Sequence, residues 1–435
     1  MTPTPGGRAL AFGVYPGGVA GQIVVPATPK PDDDARVLAA LGQLRPAGGP
    51  FTVHIYRSYL NDAQDAKEDA EHRRLVELYT SRGYGVEIVL RYRRDGDPAG
   101  FAKFVRGVVD RFGDNPLVRG FQVANEVNFA ASGDSSDGVY AGARDALIAG
   151  VIAAKDEARK RGYGQLRIGF NWFYRTDPNS EDGFWQYLHD HGGKPFVAAL
   201  DWVGLDVYPG TFFPPATAPA MTGDFVVNAL SQLRGCFMPE AGIPKTVPIH
   251  VEENGYPTGP GRSEDDQRTA LESMVGVANT YRANYNVSNY FWFDLRDADS
   301  SSPNFQQQYG LMHDDYTPKG AFGSFRSLVS KLSVREAPPP GVNVNGGGTG
   351  GSTLLLRVRC YRRGVLARLE GDALGDVRRV VFRARHRRAR DAKAPFKRHI
   401  RLRRTHRRHR VRVVARVKLG SRGVALKRSV RCRPR

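Results

Sequence analysis

Phe121-Gln122-Val123-Ala124-Asn125-Glu126-Val127-Asn128 is an apolar run that ends in a carboxylate just before turn residues. Ile249-His250-Val251-Glu252-Glu253-Asn254-Gly255-Tyr256-Pro257 repeats that pattern later in the chain. Short β-branched and aromatic runs of this kind read as strands covered on both faces. The two belong to strands expected over Val118–Val123 and Val247–Glu252. Similar runs occupy Ala9–Tyr15, Phe51–Arg57, Gly85–Arg91, Leu166–Asn171, Leu200–Asp206 and Val287–Asp294. Amphipathic stretches fall between them, near residues 34–43, 67–82, 98–112, 138–161, 182–190, 223–235, 264–283 and 318–332. The clearest is Ala141–Arg161, apolar at helical spacing and followed by Gly162 as a helix-ending glycine. Eight such alternations predict an α/β fold, a (β/α)8 TIM barrel, over residues 1–335. A doubly wound sheet is the competitor, but Gly13-Val14-Tyr15-Pro16-Gly17-Gly18 poorly matches its phosphate-binding turn.

Composition changes sharply after the barrel. Residues 336–352 form a Pro/Gly-rich linker, and residues 353–435 read as a small, basic all-β sandwich. Its strands are expected at Leu354–Cys360, Val365–Leu369, Val377–Ala384, Ile400–Arg404, Val411–Leu419 and Val424–Cys432. Residues 352–435 hold 30 Lys and Arg against 4 Asp and Glu, whereas the rest of the chain holds 34 against 40. That asymmetry is a two-domain signature, and it suits contact with an acidic polymer or cell wall. The reading placed ahead of it is an accessory domain with solvated arginine faces, since 51 Arg against 13 Lys across the chain points to GC-rich coding. Tyr361, Phe382 and Phe396 are the module's only aromatic residues, which argues against nucleic-acid stacking.

Cys360 and Cys432 stand near the two ends of the module, where a disulfide would join its first strand to its last. That pairing favours an oxidising compartment and a secreted or cell-surface protein; two free thiols are the alternative. Cys236 is expected to be a buried thiol. The opening residues lack the basic and apolar regions of a leader, consistent with one already removed. No apolar run is long enough to span a membrane.

Chemistry in a (β/α)8 barrel gathers at the C-terminal ends of its strands. Glu126 ends strand 4 and Glu253 ends strand 7, and two glutamates there can divide acid and nucleophile work between them. No metal or other cofactor is expected. The one pair with ligand-like spacing, His406-Arg407-Arg408-His409, is wrapped in arginines that repel a cation. No Gly-x-Ser-x-Gly elbow or Walker loop occurs.

Four motifs in order carry a family resemblance: Asn125-Glu126, Glu253-Asn254-Gly255, Tyr290-Phe291-Trp292-Phe293-Asp294-Leu295-Arg296-Asp297, and Tyr309-Gly310-Leu311 running on to Thr317-Pro318-Lys319. Over about residues 9–335 the chain resembles the clan A glycoside hydrolases, retaining barrel glycosidases of cellulase or endoglycanase type. The basic module resembles the immunoglobulin-like sandwiches of secreted bacterial enzymes. The resemblance implies that Glu126 is the acid/base and Glu253 the nucleophile, with Asn125 bonding the sugar 2-hydroxyl. It also implies that Tyr208 hydrogen-bonds the nucleophile, and that Arg57 keeps the nucleophile ionised. Trp292 would floor the subsite for the non-reducing-side sugar, and Trp172 is a possible wall; core packing is the alternative for both. Glu252 is set aside because adjacent strand residues point to opposite faces. Two departures stand out: strand 3 ends in Arg91-Tyr92-Arg93-Arg94, where the family usually bears a histidine, and Asp206 stands where another histidine is common.

The implied activity is retaining hydrolysis of β-glycosidic bonds in a poly- or oligosaccharide. The rival reading is a non-catalytic carbohydrate- or wall-binding protein that keeps the barrel as scaffold.

Overall fold

The computed structural model describes residues 9–18, 27–46, 49–60, 62–130, 133–177, 181–333, 355–361, 364–370, 377–384, 387–391, 396–401, 409–419 and 422–432. The chain divides into two compact units, Met1–Arg335 and Glu336–Arg435. The linker expected at 336–352 lies outside the described residues.

In the first unit eight parallel strands close, in sequence order, into a barrel. They are β1 (Ala11–Val14), β2 (Phe51–Tyr59), β3 (Gly85–Tyr92), β4 (Val118–Val123), β5 (Arg167–Phe173), β6 (Trp202–Val207), β7 (Ile249–Asn254) and β8 (Val287–Trp292). The helices between and after them are α1 (Asp34–Leu44), α2 (Asp62–Thr80), α3 (Pro98–Phe112), α4 (Ala143–Arg161), α5 (Asp182–Tyr187) and α6 (Gly193–Ala199). They continue with α7 (Thr222–Gln232), α8 (Met238–Glu240), α9 (Glu264–Tyr285) and α10 (Gly320–Leu332). The strands read as solid apolar runs because helices cover one face and the barrel interior the other; β3 is buried at every position. Gly162 ends α4 in the left-handed region, φ 76°, and its N–H bonds the Ala158 and Arg159 carbonyls.

Two strand ends depart from regular geometry, and both carry glutamates. After β4 the backbone turns left-handed at Ala124 (φ 61°) and Glu126 (φ 49°). Each such non-glycine conformation costs about 1–3 kcal/mol. Side-chain acceptors hold the turn: Asn125 N–H donates to Asp137 Oδ2 at 2.8 Å, and Glu126 N–H to Asn171 Oδ1 at 2.8 Å. On β7 the pairing register shifts between Val251 and Asn254, a bulge of the kind that re-aims a side chain.

The segment after β8 is tied down by a fully buried pair, Lys319 Nζ to Asp297 Oδ1 at 2.7 Å. Lys319→Met strands that carboxylate and should destabilise the barrel by about 3–5 kcal/mol in denaturant titrations. An unchanged midpoint would show that the pair is dispensable.

The second unit contains β9 (Leu355–Tyr361), β10 (Gly364–Glu370), β11 (Val377–Ala384), β12 (Arg387–Asp391), β13 (Lys397–Arg401), β14 (His409–Leu419) and β15 (Arg422–Cys432). A three-stranded antiparallel sheet, β13-β10-β9, and a four-stranded one, β12-β11-β14-β15, share a core that includes Val365, Phe382, Ile400 and Val413. β12 is absent from the sequence reading, and β13 begins earlier than Ile400, because arginine-rich strands carry little apolar signal. On β14 Val411, Val413, Ala415 and Val417 are buried while Arg412, Arg416 and Lys418 are exposed. The register sets Arg379, Arg383, Arg388 and Arg390 on the same outer face. The only acidic residue on β11, β12, β14 and β15, Asp391, is buried.

The expected Cys360–Cys432 pairing involves the side chain of Cys432, which lies outside the described residues. Cys236 is exposed rather than buried: it sits in Leu233–Phe237, beside exposed Gly235, while Leu233 and Phe237 supply the packing face.

Candidate active site

Glu253 leaves β7 pointing into the barrel mouth, and two phenols meet it there. Tyr208 Oη donates to Oε2 at 2.7 Å, and Tyr56 Oη donates to Oε1. Glu126 faces it from β4, accepting a hydrogen bond from Ser136 Oγ at 2.8 Å. Carboxylate oxygens of Glu126, Glu253 and Asp206 all lie within 4.8 Å of one another. That separation suits a retaining pair, about 5–5.5 Å, and is too short for the roughly 6.5–9.5 Å of an inverting pair.

Burial and the neighbouring Glu253 charge push the Glu126 carboxyl well above the usual range, against the Ser136 hydroxyl and Arg91. Burial also raises Glu253, but the two phenols and Arg91 oppose it. The better-solvated anion is therefore Glu253, and the proton belongs on Glu126. Asp206 is raised by burial and then by Glu253 and Glu126, so it too favours its neutral form.

Asn125 is held in the same net. Its Oδ1 accepts from Gln122 Nε2 at 3.0 Å and Asn171 Nδ2 at 2.8 Å, and its Nδ2 donates to the Ser135 carbonyl at 2.8 Å. Arg91 is buried on β3 and anchored by Asp137 at 2.7 Å and the Asp134 carbonyl at 3.0 Å. The departure that the sequence showed on strand 3 thus supplies the cation beside both glutamates.

Three expected site residues face elsewhere. Arg57 does not touch Glu253; it pairs with Glu68 at 3.1 Å and lines a cleft of roughly 670 Å3 with Asp69, Lys103 and Arg111. Trp172 is fully buried, bonded through Nε1 to Glu181 at 2.8 Å and packed against Phe237 and Trp185. Trp292 is fully buried against Phe325 of α10. In each case an adjacent residue faces the mouth instead. Tyr56 replaces Arg57. Phe173 replaces Trp172, packing on Tyr208 and stacking on Phe129 at 4.6 Å. Phe293 replaces Trp292, stacked on Tyr15 at 5.6 Å and edge-on to Tyr208 and Tyr309. Phe129, Phe212, Phe213 and Phe293 remain partly exposed, giving the mouth an aromatic wall suited to the C–H faces of a sugar ring. Counting outward in steps of two from inward residues such as Asn171 would have found Phe173; no signal in the strand itself marks parity.

Glu252 also differs from expectation. It does point into the barrel, because the β7 bulge turns two consecutive glutamates inward. It lies deeper than Glu253, beside His54 and Glu87.

A hydrogen bond to a charged group contributes about 1.5–3 kcal/mol. Tyr56→Phe should therefore lower kcat about 10- to 100-fold with little change in fold. An unchanged pH–rate profile and rate would show that this phenol does not support Glu253.

No protein-family model matches the chain, and no curated protein sequence matches it. Solved structures do. A GH5_18 structure from Bifidobacterium longum subsp. infantis aligns with TM-score 0.50 at 14% identity, covering 75% of this chain and 80% of that one. A fungal β-1,4-galactanase aligns at 0.48 and 13%, covering 73% and 99%. β-Glucuronidase 2 of Bacteroides uniformis aligns at 0.46 and 12%, covering 98% of this chain and 46% of that one, so this chain spans about half its length. The first of these alignments shows that the chain shares the (β/α)8-barrel fold of that structure.

Proposed function

We propose that the protein is a retaining glycoside hydrolase that cleaves β-glycosidic bonds of a poly- or oligosaccharide by double displacement. Glu253 attacks the anomeric carbon while Glu126 protonates the leaving oxygen; Glu126 then activates the water that releases the sugar. Asn125 meets the sugar 2-hydroxyl, and Phe293 and Phe173 bracket the ring. The observation that carries this reading is the close Glu126–Glu253 pair, with two phenols on one member and a single hydroxyl on the other. The test is a hydrolysis screen over β-linked glycans, wild type beside Glu253→Ala, with product configuration read by NMR. Retained configuration supports the mechanism. Wild-type turnover on no glycan would favour the non-catalytic binding protein.

We also propose that the protein acts outside the cell, with the basic unit holding it on an acidic polymer. The outer face of β12-β11-β14-β15 presents Arg379, Arg383, Arg388, Arg390, Arg412, Arg416 and Lys418 without an exposed acid on those strands. Removing residues 337–435 should leave hydrolysis of small soluble substrates nearly unchanged while abolishing retention on acidic polysaccharide. Binding by the intact protein should weaken steeply with salt, because each cation adds to the salt slope. Salt-independent retention would rule out the polyanion role, and lost turnover of small substrates would show that the barrel needs the second unit.

A further inference from the structure

Below the glutamate pair, the barrel interior holds a second cluster that the proposed hydrolysis does not use. His54 of β2, Glu87 of β3 and Glu252 of β7 converge from strands that are not all neighbours. His54 Nε2 lies 3.9 Å from Glu87 Oε1 and 3.9 Å from Glu252 Oε2. All three atoms are buried and, with both carboxyls ionised, have no hydrogen-bond partner among the described residues; a proton shared between Glu87 and Glu252 is the competing arrangement. Three orphaned polar atoms aimed at one point are costly unless something sits between them.

We propose that this cluster is a structural site for a divalent transition-metal ion such as Zn2+ or Mn2+. Three independent features support it. The first is charge. No lysine or arginine among the described residues pairs with Glu87 or Glu252, so two buried carboxyls must be neutralised by protons or by a cation. One divalent ion balances both. The mouth differs, since Glu126 and Glu253 already have Arg91 and three hydroxyl donors.

The second feature is size. The donor atoms lie within 4.8 Å of one another, so an ion equidistant from them sits roughly 2.3–2.5 Å from each. A contraction of a few tenths of an ångström reaches zinc or manganese distances. One imidazole nitrogen with two carboxylates also favours a transition ion over Ca2+, which takes oxygen donors.

The third is the support around one ligand. His250 Nδ1 lies 2.8 Å from the other oxygen of Glu252, and its ring stacks on Trp202 at 4.6 Å and 10°. Carboxylates that ligate a metal are themselves held by hydrogen bonds from outer residues, and His250 is placed to hold Glu252 in this way.

The test uses the full chain, stripped with chelator, incubated with Zn2+ or Mn2+, desalted and assayed for bound metal by mass spectrometry. The expected result is one ion per chain and a melting temperature about 4 °C higher at saturating metal. Glu87→Gln keeps the side-chain shape and should lower affinity about 100-fold or more. An anomalous-scattering map of a metal-soaked crystal should place the ion among His54, Glu87 and Glu252, which decides the matter even if the variant fails to fold. Absence of retained metal with both ions, or metal found only elsewhere, overturns the proposal in favour of a protonated carboxyl pair. Glycan hydrolysis plays no part in these readouts, so the proposal fails or stands separately from the enzymatic one.

Discussion

Glu253→Ala should lower kcat by about 10^4-fold or more while the protein stays folded. In the proposed mechanism the nucleophile has no substitute, because it forms the bond to the anomeric carbon. Asp206 is close, and the loss of the Glu253 charge relieves it in this variant, but burial, the largest cause of its raised pKa, still favours its neutral form. Removing the carboxylate also removes the charge that raises Glu126, Tyr208 and Tyr56. The alanine variant should therefore be no less stable than wild type by more than a small cavity term. Azide fits the vacated volume and should restore turnover with inverted product configuration, since one displacement then replaces two. Near-normal activity without azide would transfer the role to another residue, and azide rescue with retained configuration would defeat the double displacement.

Glu126→Ala should cost about 10^2- to 10^4-fold on substrates with poor leaving groups and far less on activated aryl glycosides. An acidic leaving group departs without a proton, so the loss should track leaving-group pKa. The pH profile gives a second readout. In the proposed mechanism Glu126 must be protonated for the first step, and its pKa is raised, so wild-type activity should fall as pH rises through that titration. Glu253 must be ionised, so activity should rise with pH through its own titration on the acid side. The two limbs belong to the coupled pair rather than to either residue alone. In Glu126→Ala the alkaline limb should disappear on activated substrates. Equal losses on both substrate types, or an intact alkaline limb, would mean that Glu126 is not the acid.

The barrel was legible because its strands are buried on both faces and its helices on one. Phe51–Arg57, Gly85–Arg91 and Val118–Val123 stand out as apolar runs, and Ala141–Arg161 as a periodic one. The same double burial hides strand parity. On a half-exposed strand, alternation tells which residues face the core, as on β14, where Val411, Val413, Ala415 and Val417 alternate with exposed Arg412, Arg416 and Lys418. On β2, β5 and β8 both faces are apolar or packed, so Arg57, Trp172 and Trp292 could be placed on the right strand end but not on the right side of it. Tyr56, Phe173 and Phe293 were one residue away.

By itself, then, the sequence determined the alternation of elements, the break near residue 335, the basic module, and the two glutamates at the ends of strands 4 and 7. Their flanking residues identify strand termini, and termini are where a barrel places its chemistry. Tertiary structure alone decided which neighbours surround those glutamates. The left-handed turn at Ala124 and Glu126 and the bulge on β7 aim side chains in ways that a two-residue period does not anticipate. It also alone brought together His54, Glu87 and Glu252, which no motif links. Closing eight strands into a ring makes neighbours of residues far apart in the chain, and the depth of each within that ring is set by strand stagger rather than by local sequence.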